Sequence, residues 1–176
     1  MSPNDMANTA GSKTDPAMIA RLRSDNESIL LQAISDLHET GSPLYLPLLA
    51  EILLETESEQ VRKSIYKLLG ELKDKDAAPV LISLIRDKVN LGIRRELLAA
   101  CWQNGLDYSP WLPQLVDWVI DSELEVAFEA FTIIENLEQF PAADIREAEV
   151  VKINKALKES TQTKSYLLKE LRGIIA

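Results

Sequence analysis

The sequence predicts an all-α fold, a right-handed α-solenoid of about nine to ten helices stacked as antiparallel pairs. Three observations carry this expectation. Pro16, Pro47, Pro79 and Pro113 stand 31, 32 and 34 residues apart, and each opens a similar apolar run, as in Pro47-Leu48-Leu49-Ala50 and Pro79-Val80-Leu81-Ile82. A fixed period of this length marks a repeat architecture, in which each unit is one supersecondary element stacked on the next. Between the proline-led segments a second series aligns. Its first apolar column is Ile29, Val61, Ile93 and Val126; four residues on stand Ala33, Ile65, Leu97 and Ala130; eight on stand Leu37, Leu69, Cys101 and Ile134. Steps of four draw the one-faced stripe of an amphipathic helix. Finally, glycine is scarce, at 6 in 176 residues, while Leu, Ile, Ala, Glu and Lys dominate, a mixture that favours helix over sheet.

The elements follow in order. Residues 1–14 are small, polar and aperiodic and read as a disordered tail. Asp15 followed by Pro16 is a helix start, a capping carboxylate before a proline whose missing N–H costs nothing there. It opens a lone helix over 16–24, a leading half-repeat (15–24). The intervening series gives helices near 26–40, 57–72, 91–104 and 123–138. Their proline-led partners lie near 44–55, 77–88, 111–121 and 143–158, so the repeats read as 26–55, 57–88, 91–121 and 123–158. Breaks stand at Gly41-Ser42-Pro43, Lys73-Asp74-Lys75-Asp76, Asn104-Gly105 and Phe140-Pro141. The third turn is the longest and carries Tyr108 and Trp111. In the fourth pair Pro141-Ala142-Ala143 replaces the apolar opening, the kind of drift expected of a terminal repeat whose outer face meets water. A last helix at 162–175 caps the stack, so that 15–176 forms one domain.

Composition narrows the function. The chain is 46% apolar and 27% charged, with a formal net charge of −9. Phosphate binding requires clustered Lys and Arg, so this balance excludes a general affinity for nucleic acid or an anionic membrane. No apolar stretch approaches the ~20 residues that span a bilayer. The first residues have no basic and apolar segments of a secretory signal, and the single Cys101 fits a reducing compartment, the cytoplasm.

Val61-Arg62 and Ile93-Arg94 sit early in intervening helices. Ala78-Pro79-Val80-Leu81 opens a proline-led helix that Asp87 closes. In these features the chain resembles the HEAT repeat family, in particular its short bacterial HEAT-like branch, over roughly residues 15–158. The resemblance implies that Arg62 and Arg94 bond an acidic residue in a neighbouring turn. Leu30 and Ala127 occupy the matching positions at the two ends and would break such a ladder. It also implies that the proline-led helices line a concave face.

Catalytic constellations are sparse. Helical-repeat hydroxylases bind two irons through several His-Glu pairs, but His38-Glu39 contains the one histidine of the chain, and catalytic metals want about three protein ligands. A place at the surface, near the C-terminal dipole of its helix, suits His38 better. Cys101 falls in an apolar column and reads as a small core hydrophobe, with no base near it to make a nucleophile. No Gly-rich phosphate loop and no distinctive carboxylate pair is present. Helical-repeat glycosylases line a groove with basic groups, whereas residues 121–150 hold nine acids against Arg146 alone. Residues 151–176 reverse the sign, as a solvated capping helix does. No cofactor and no metal is expected.

The proline-led helices offer the most informative surface. Met18, Leu49, Leu81 and Leu115 form one core column, Ile19, Ala50, Ile82 and Val116 the next, and Leu22, Leu53, Ile85 and Val119 a third. Ala20, Glu51, Ser83 and Asp117, then Ser24, Glu55, Asp87 and Asp121, form the exposed stripe, flanked by Arg21, Ile52, Leu84 and Trp118. Apolar columns beside acids suit a peptide or helix partner carrying basic residues. The expected site is therefore Glu51, Glu55, Leu84, Asp87, Asp117, Trp118 and Asp121, with Tyr108 and Trp111 as the next candidate; Trp118 reads equally as core. The leading function is a non-catalytic protein–protein interaction scaffold. The alternatives are an enzyme or accessory subunit of HEAT-like lyase or hydroxylase type, which needs a deep polar pocket, and a module that forms a homodimer through its apolar last helix.

Overall fold

The computed structural model describes residues 13–40 and 43–176. The tail expected over 1–14 lies outside the described residues except at Lys13 and Thr14, and the Gly41-Ser42 break lies wholly outside them. Among the described residues the chain forms ten α-helices and no strand. They are α1 (Pro16–Leu22), α2 (Glu27–Thr40), α3 (Leu46–Glu55), α4 (Glu59–Gly70), α5 (Ala77–Arg86), α6 (Arg94–Asn104), α7 (Leu112–Asp121), α8 (Leu124–Glu135), α9 (Ala143–Leu157) and α10 (Gln162–Ile175). Short 3-10 turns precede α3, α6 and α7.

Local chemistry sets the helix starts and stops. Asp15 accepts a hydrogen bond from the Ala17 N–H at 2.9 Å, with Pro16 in the first turn. Ser58 caps α4 and Thr161 caps α10 in the same way. Proline stands in the first turn of α3 and α7, where its missing donor is free of cost. Gly105 closes α6 at φ 65°, a left-handed conformation that suits a residue without Cβ.

The apolar columns form the core. The second and third columns of the intervening series are buried throughout, and so are the proline-led columns from α3 onward. In the first column Val61 and Ile93 are buried and Val126 is half-buried, whereas Ile29 is 44% exposed, because α2 ends its row and packs mainly on α1 and α4. Intervening helices pack closely on one another along the whole row, α2 on α4, α4 on α6 and α6 on α8. Small buried side chains such as Ala33, Ala100, Ala127 and Ala130 permit that approach. In the proline-led row, extensive contact is confined to α3 with α5 and α7 with α9. The cap α10 packs on both α8 and α9.

Helix ends inside such a stack leave carbonyls without intrahelical donors. Here neighbouring elements supply them. Arg62 donates to the Thr56 carbonyl at the end of α3, at 2.9 Å. Arg94 and Asn90 donate to the Ile85 and Leu84 carbonyls at the end of α5, both at 2.9 Å. The resemblance implied acidic partners for Arg62 and Arg94. Among the described residues neither arginine forms an ion pair, and both cap carbonyls instead, where a cation also complements the helix dipole. Asn104 is buried and ties two turns together. It donates to the Leu69 carbonyl of α4 at 3.2 Å and accepts from the Leu106 N–H and the Tyr108 hydroxyl.

Two substitutions test this packing. Leu81→Ala removes a fully buried side chain, so urea unfolding will show a loss of roughly 2–5 kcal/mol. Asn104→Ala strands the Leu69 carbonyl and the Tyr108 hydroxyl and will cost on the order of 2–3 kcal/mol. A cost below about 0.5 kcal/mol at either position contradicts the assignment.

Candidate functional site

The residues expected to form one surface on the proline-led helices are separated in the structure. Glu51 and Glu55 are exposed on α3 and line a cleft beside Arg23 and Asp25, with Glu51 paired to Arg23 at 3.3 Å. Leu84 is half-buried, and Asp87 accepts from the Val89 N–H at 3.0 Å, capping the turn that follows α5. Asp117 is not free: its Oδ1 lies 2.7 Å from Lys152 Nζ of α9. The same ammonium stands 2.8 Å from Glu149 Oε2, a buried oxygen with no directional hydrogen bond of its own. Burial opposes the charge on Lys152, but the hydrogen bond it donates to Asp117 and the close Glu149 carboxylate outweigh burial and hold its pKa above the ordinary lysine value. Trp118, the expected apolar anchor, is 6% exposed and belongs to the core. The second candidate fares no better. Tyr108 is 1% exposed, with its hydroxyl donating to Asn104, and the half-buried Trp111 is tilted against its ring at 6.3 Å. Trp118 and Tyr108 thus lie in the packed interior, where a large aromatic offers a partner little surface, while Trp111 is half-buried.

A set of exposed apolar residues lies elsewhere, at the turn before α6 and over α8 and α10. Leu91, Leu124, Phe128 and Tyr166 are between 45% and 68% exposed. A groove of about 620 Å³ runs between α8 and α10, with Leu124, Phe128, Phe131 and Leu167 as its floor and Tyr166 on its wall. Past Arg95, Leu124 and Glu125 it continues into a trough at the N-terminal ends of α6 and α8, lined by Leu91, Gly92, Glu123 and Val126. Leu91, Glu123 and Val126 also belong to a third recess, whose far side is Asp117, Trp118 and Asp121. Three of the expected residues thus border this tract at one end, with Asp117 already paired and Trp118 largely buried.

The local sequence explains this surface. The core stripe of α8 is Ala127, Ala130, Phe131 and Ile134. Leu124 and Phe128, four apart, fall outside it and form a second stripe turned to solvent. The Phe128 and Phe131 rings lie 6.4 Å apart at 29°. In α10, Leu167, Leu168, Leu171 and Ile175 are buried. They cap the stack, and Tyr166 remains as the large exposed apolar side chain of that helix. A dimer through this helix therefore lacks the apolar face that its composition suggested.

Four carboxylates line the main groove, Glu125, Glu129, Glu135 and Glu170, against one guanidinium, Arg95. Arg95 is itself engaged, 3.0 Å from Glu96 and 4.0 Å from Glu125. The Glu96 hydrogen bond is the main cause of its raised pKa. Glu129 accepts from the Trp102 indole N–H at 2.9 Å, which fixes the carboxylate without neutralising it.

Reactive groups are placed unfavourably for chemistry. Cys101 is fully buried, and burial pushes its thiol up to about 12. His38 Nδ1 lies 3.3 Å from Glu71 Oε2, beside a cleft of about 240 Å³, smaller than the ~300 Å³ at which small-molecule sites begin. Among the described residues no group of three or more His, Cys, Asp or Glu is arranged to hold a metal ion. No described helix is long and apolar enough to cross a membrane.

Residues 16–102, which are α1 through most of α6, match the family model of HEAT repeats. With the repeat period and the stacked helices, this match makes the chain a member of the HEAT repeat family. No characterised protein gives a significant match to the sequence.

Two predictions follow from the placement of charged and reactive groups. With a thiol pKa of about 12, only on the order of 10⁻⁴ of Cys101 is ionised at pH 8. Iodoacetamide will therefore alkylate it orders of magnitude more slowly in the folded protein than in urea; equal rates contradict its burial. Lys152→Met leaves Glu149 buried without a counter-charge and will cost roughly 1–3 kcal/mol, between the values for exposed and fully buried pairs. Glu149→Gln in the same chain will restore part of that loss, and no recovery contradicts the pairing.

Proposed function

We propose that this protein is a non-catalytic binding module that holds a segment of a protein partner in the groove over α6, α8 and α10. HEAT repeats are in general protein-interaction scaffolds, and they act by surface rather than by reaction. The observation that carries the reading is the alignment of Leu91, Leu124, Phe128 and Tyr166 in one tract rimmed by carboxylates. Contiguous exposed apolar surface with a polar rim marks an interaction site. The exposed large apolar residues of the proline-led row are fewer and scattered: Leu54 on α3, and Ile145 and Val151 on α9. Asp117, Trp118 and Asp121 would border the far end of the partner, while Glu51 and Glu55 belong to a separate cleft. A reducing cytoplasmic setting fits the buried free thiol of Cys101.

Site-specific photocrosslinking in the native cell tests the reading. Benzoylphenylalanine at Tyr166 is expected to capture one discrete protein, whereas the same group at Ser83 on α5 captures none. Capture from Ser83 and not from Tyr166 returns the site to the proline-led face and contradicts the proposal. A capture from Tyr166 that proves to be a second copy of the chain contradicts it as well.

A further inference from the structure

Resting on that reading of the groove, we propose that its occupant is an amphipathic helix with one apolar stripe and basic residues along both flanks. Charge gives the first argument. Glu125 and Glu129 run along the α8 wall and Glu170 stands on the α10 wall. Arg95, the guanidinium beside them, is already held by Glu96 and Glu125. A neutral or acidic segment would bury or crowd these carboxylates without a counter-charge, whereas Lys and Arg on two flanks would pair with both walls. A second copy of this chain, with its net charge of −9, is a poor match on the same ground.

The walls decide between helix and strand. All of them are helical, and no sheet edge exists among the described residues. An extended segment laid on Leu124, Phe128 and Leu167 would turn half of its backbone N–H and C=O groups toward side chains that cannot bond them. A helix satisfies its own backbone and presents only side chains. Register points the same way. Leu124 and Phe128 are four apart on α8, and so are Glu125 and Glu129. The wall therefore offers an apolar rail and an acidic rail of equal repeat, and a ligand helix with apolar residues at i and i+4 and lysines beside them matches both.

The test uses the full chain and three fluorescein-labelled synthetic peptides. One is a helix former with leucines at i, i+4 and flanking lysines. The second has the same composition with the stripe scrambled, and the third carries glutamate in place of lysine. By fluorescence anisotropy the first peptide is expected to bind, and scrambling or charge reversal to weaken binding by roughly tenfold or more. Phe128→Ser with Tyr166→Ser is expected to weaken it as much. Glu125→Lys with Glu129→Lys should weaken it at low salt and far less at high salt, since screening acts over about 8–10 Å near physiological ionic strength. Unchanged helicity and melting temperature of each variant establish that the effect is local. Equal binding of ordered and scrambled peptides would reduce the interaction to bulk charge attraction and overturn the proposal, as would binding unaffected by the Phe128 and Tyr166 changes. If no peptide binds while Tyr166 still crosslinks a protein in cells, the groove stands and the assigned occupant is wrong. If both fail, the groove itself is wrong.

Discussion

Closing the ends of short helices is the constraint on which this architecture depends. Helices of 10 to 15 residues, the length of nearly all of them here, leave a large share of their carbonyls without intrahelical donors. A stack buries several of those ends, and a buried unpaired carbonyl costs about 1–3 kcal/mol. The chain answers with side chains from neighbouring elements. Arg62 closes α3, Asn90 and Arg94 close α5, Lys164 closes α7 at the Ser122 carbonyl, and Arg146 closes α10. Asn104 and Lys73 make the arrangement reciprocal, the first capping α4 and the second capping α6. Each such bond also joins two elements, so the device that satisfies the backbone holds the stack together.

That device has an electrostatic consequence. The chain carries 19 basic and 28 acidic residues, and several of its cations are engaged by other parts of the stack. Arg62, Arg94, Arg146, Lys73 and Lys164 bond carbonyls, while Lys152 joins α9 to α7 through Asp117. Lys164 is desolvated enough for burial to depress its pKa, against the pull of Glu123 and Asp121. The carboxylates have no such duty at helix C-termini, where their charge is unfavourable, and among the described residues, apart from the buried Glu149, they stay exposed or half-exposed. The acidic rim of the α8–α10 groove is thus partly a by-product of how the helix ends are closed, and the apolar floor beside it is what gives the rim a use.

The helices were legible in the sequence because period and core coincide. The columns through Ile65, Leu97 and Leu81 had to face inward for any stack to form, and proline at each start made the phase visible. Burial of Cys101 followed from its column. The site was far less legible. Asp117 looked free on its own helix, and only tertiary packing brings Lys152 to it from 35 residues away. Trp118 lay in a mixed column that periodicity alone leaves open. Arg62 and Arg94 were assigned acidic partners from family pattern, yet carbonyls one turn away were nearer. A signal for the groove did exist at Leu124 and Phe128, which form a second apolar stripe beyond the one that the core of α8 requires. Surplus apolar residues outside the core phase locate a surface better than acids do, since acids are everywhere in this chain.

Helix ends closed from neighbouring elements hold this stack together, and native-state hydrogen exchange reads those ends one by one. The Thr56, Asp87 and Ser122 amides make the last backbone bonds of α3, α5 and α7, to Ile52, Ser83 and Trp118. The Arg23 amide makes the equivalent bond in α1, to Ile19, where no side-chain donor is found among the described residues. The expected result is protection of Thr56, Asp87 and Ser122 close to that of helix centres, with Arg23 exchanging through local fraying. Fast and equal exchange of all four amides would contradict this, because the side-chain closures would then not hold the ends.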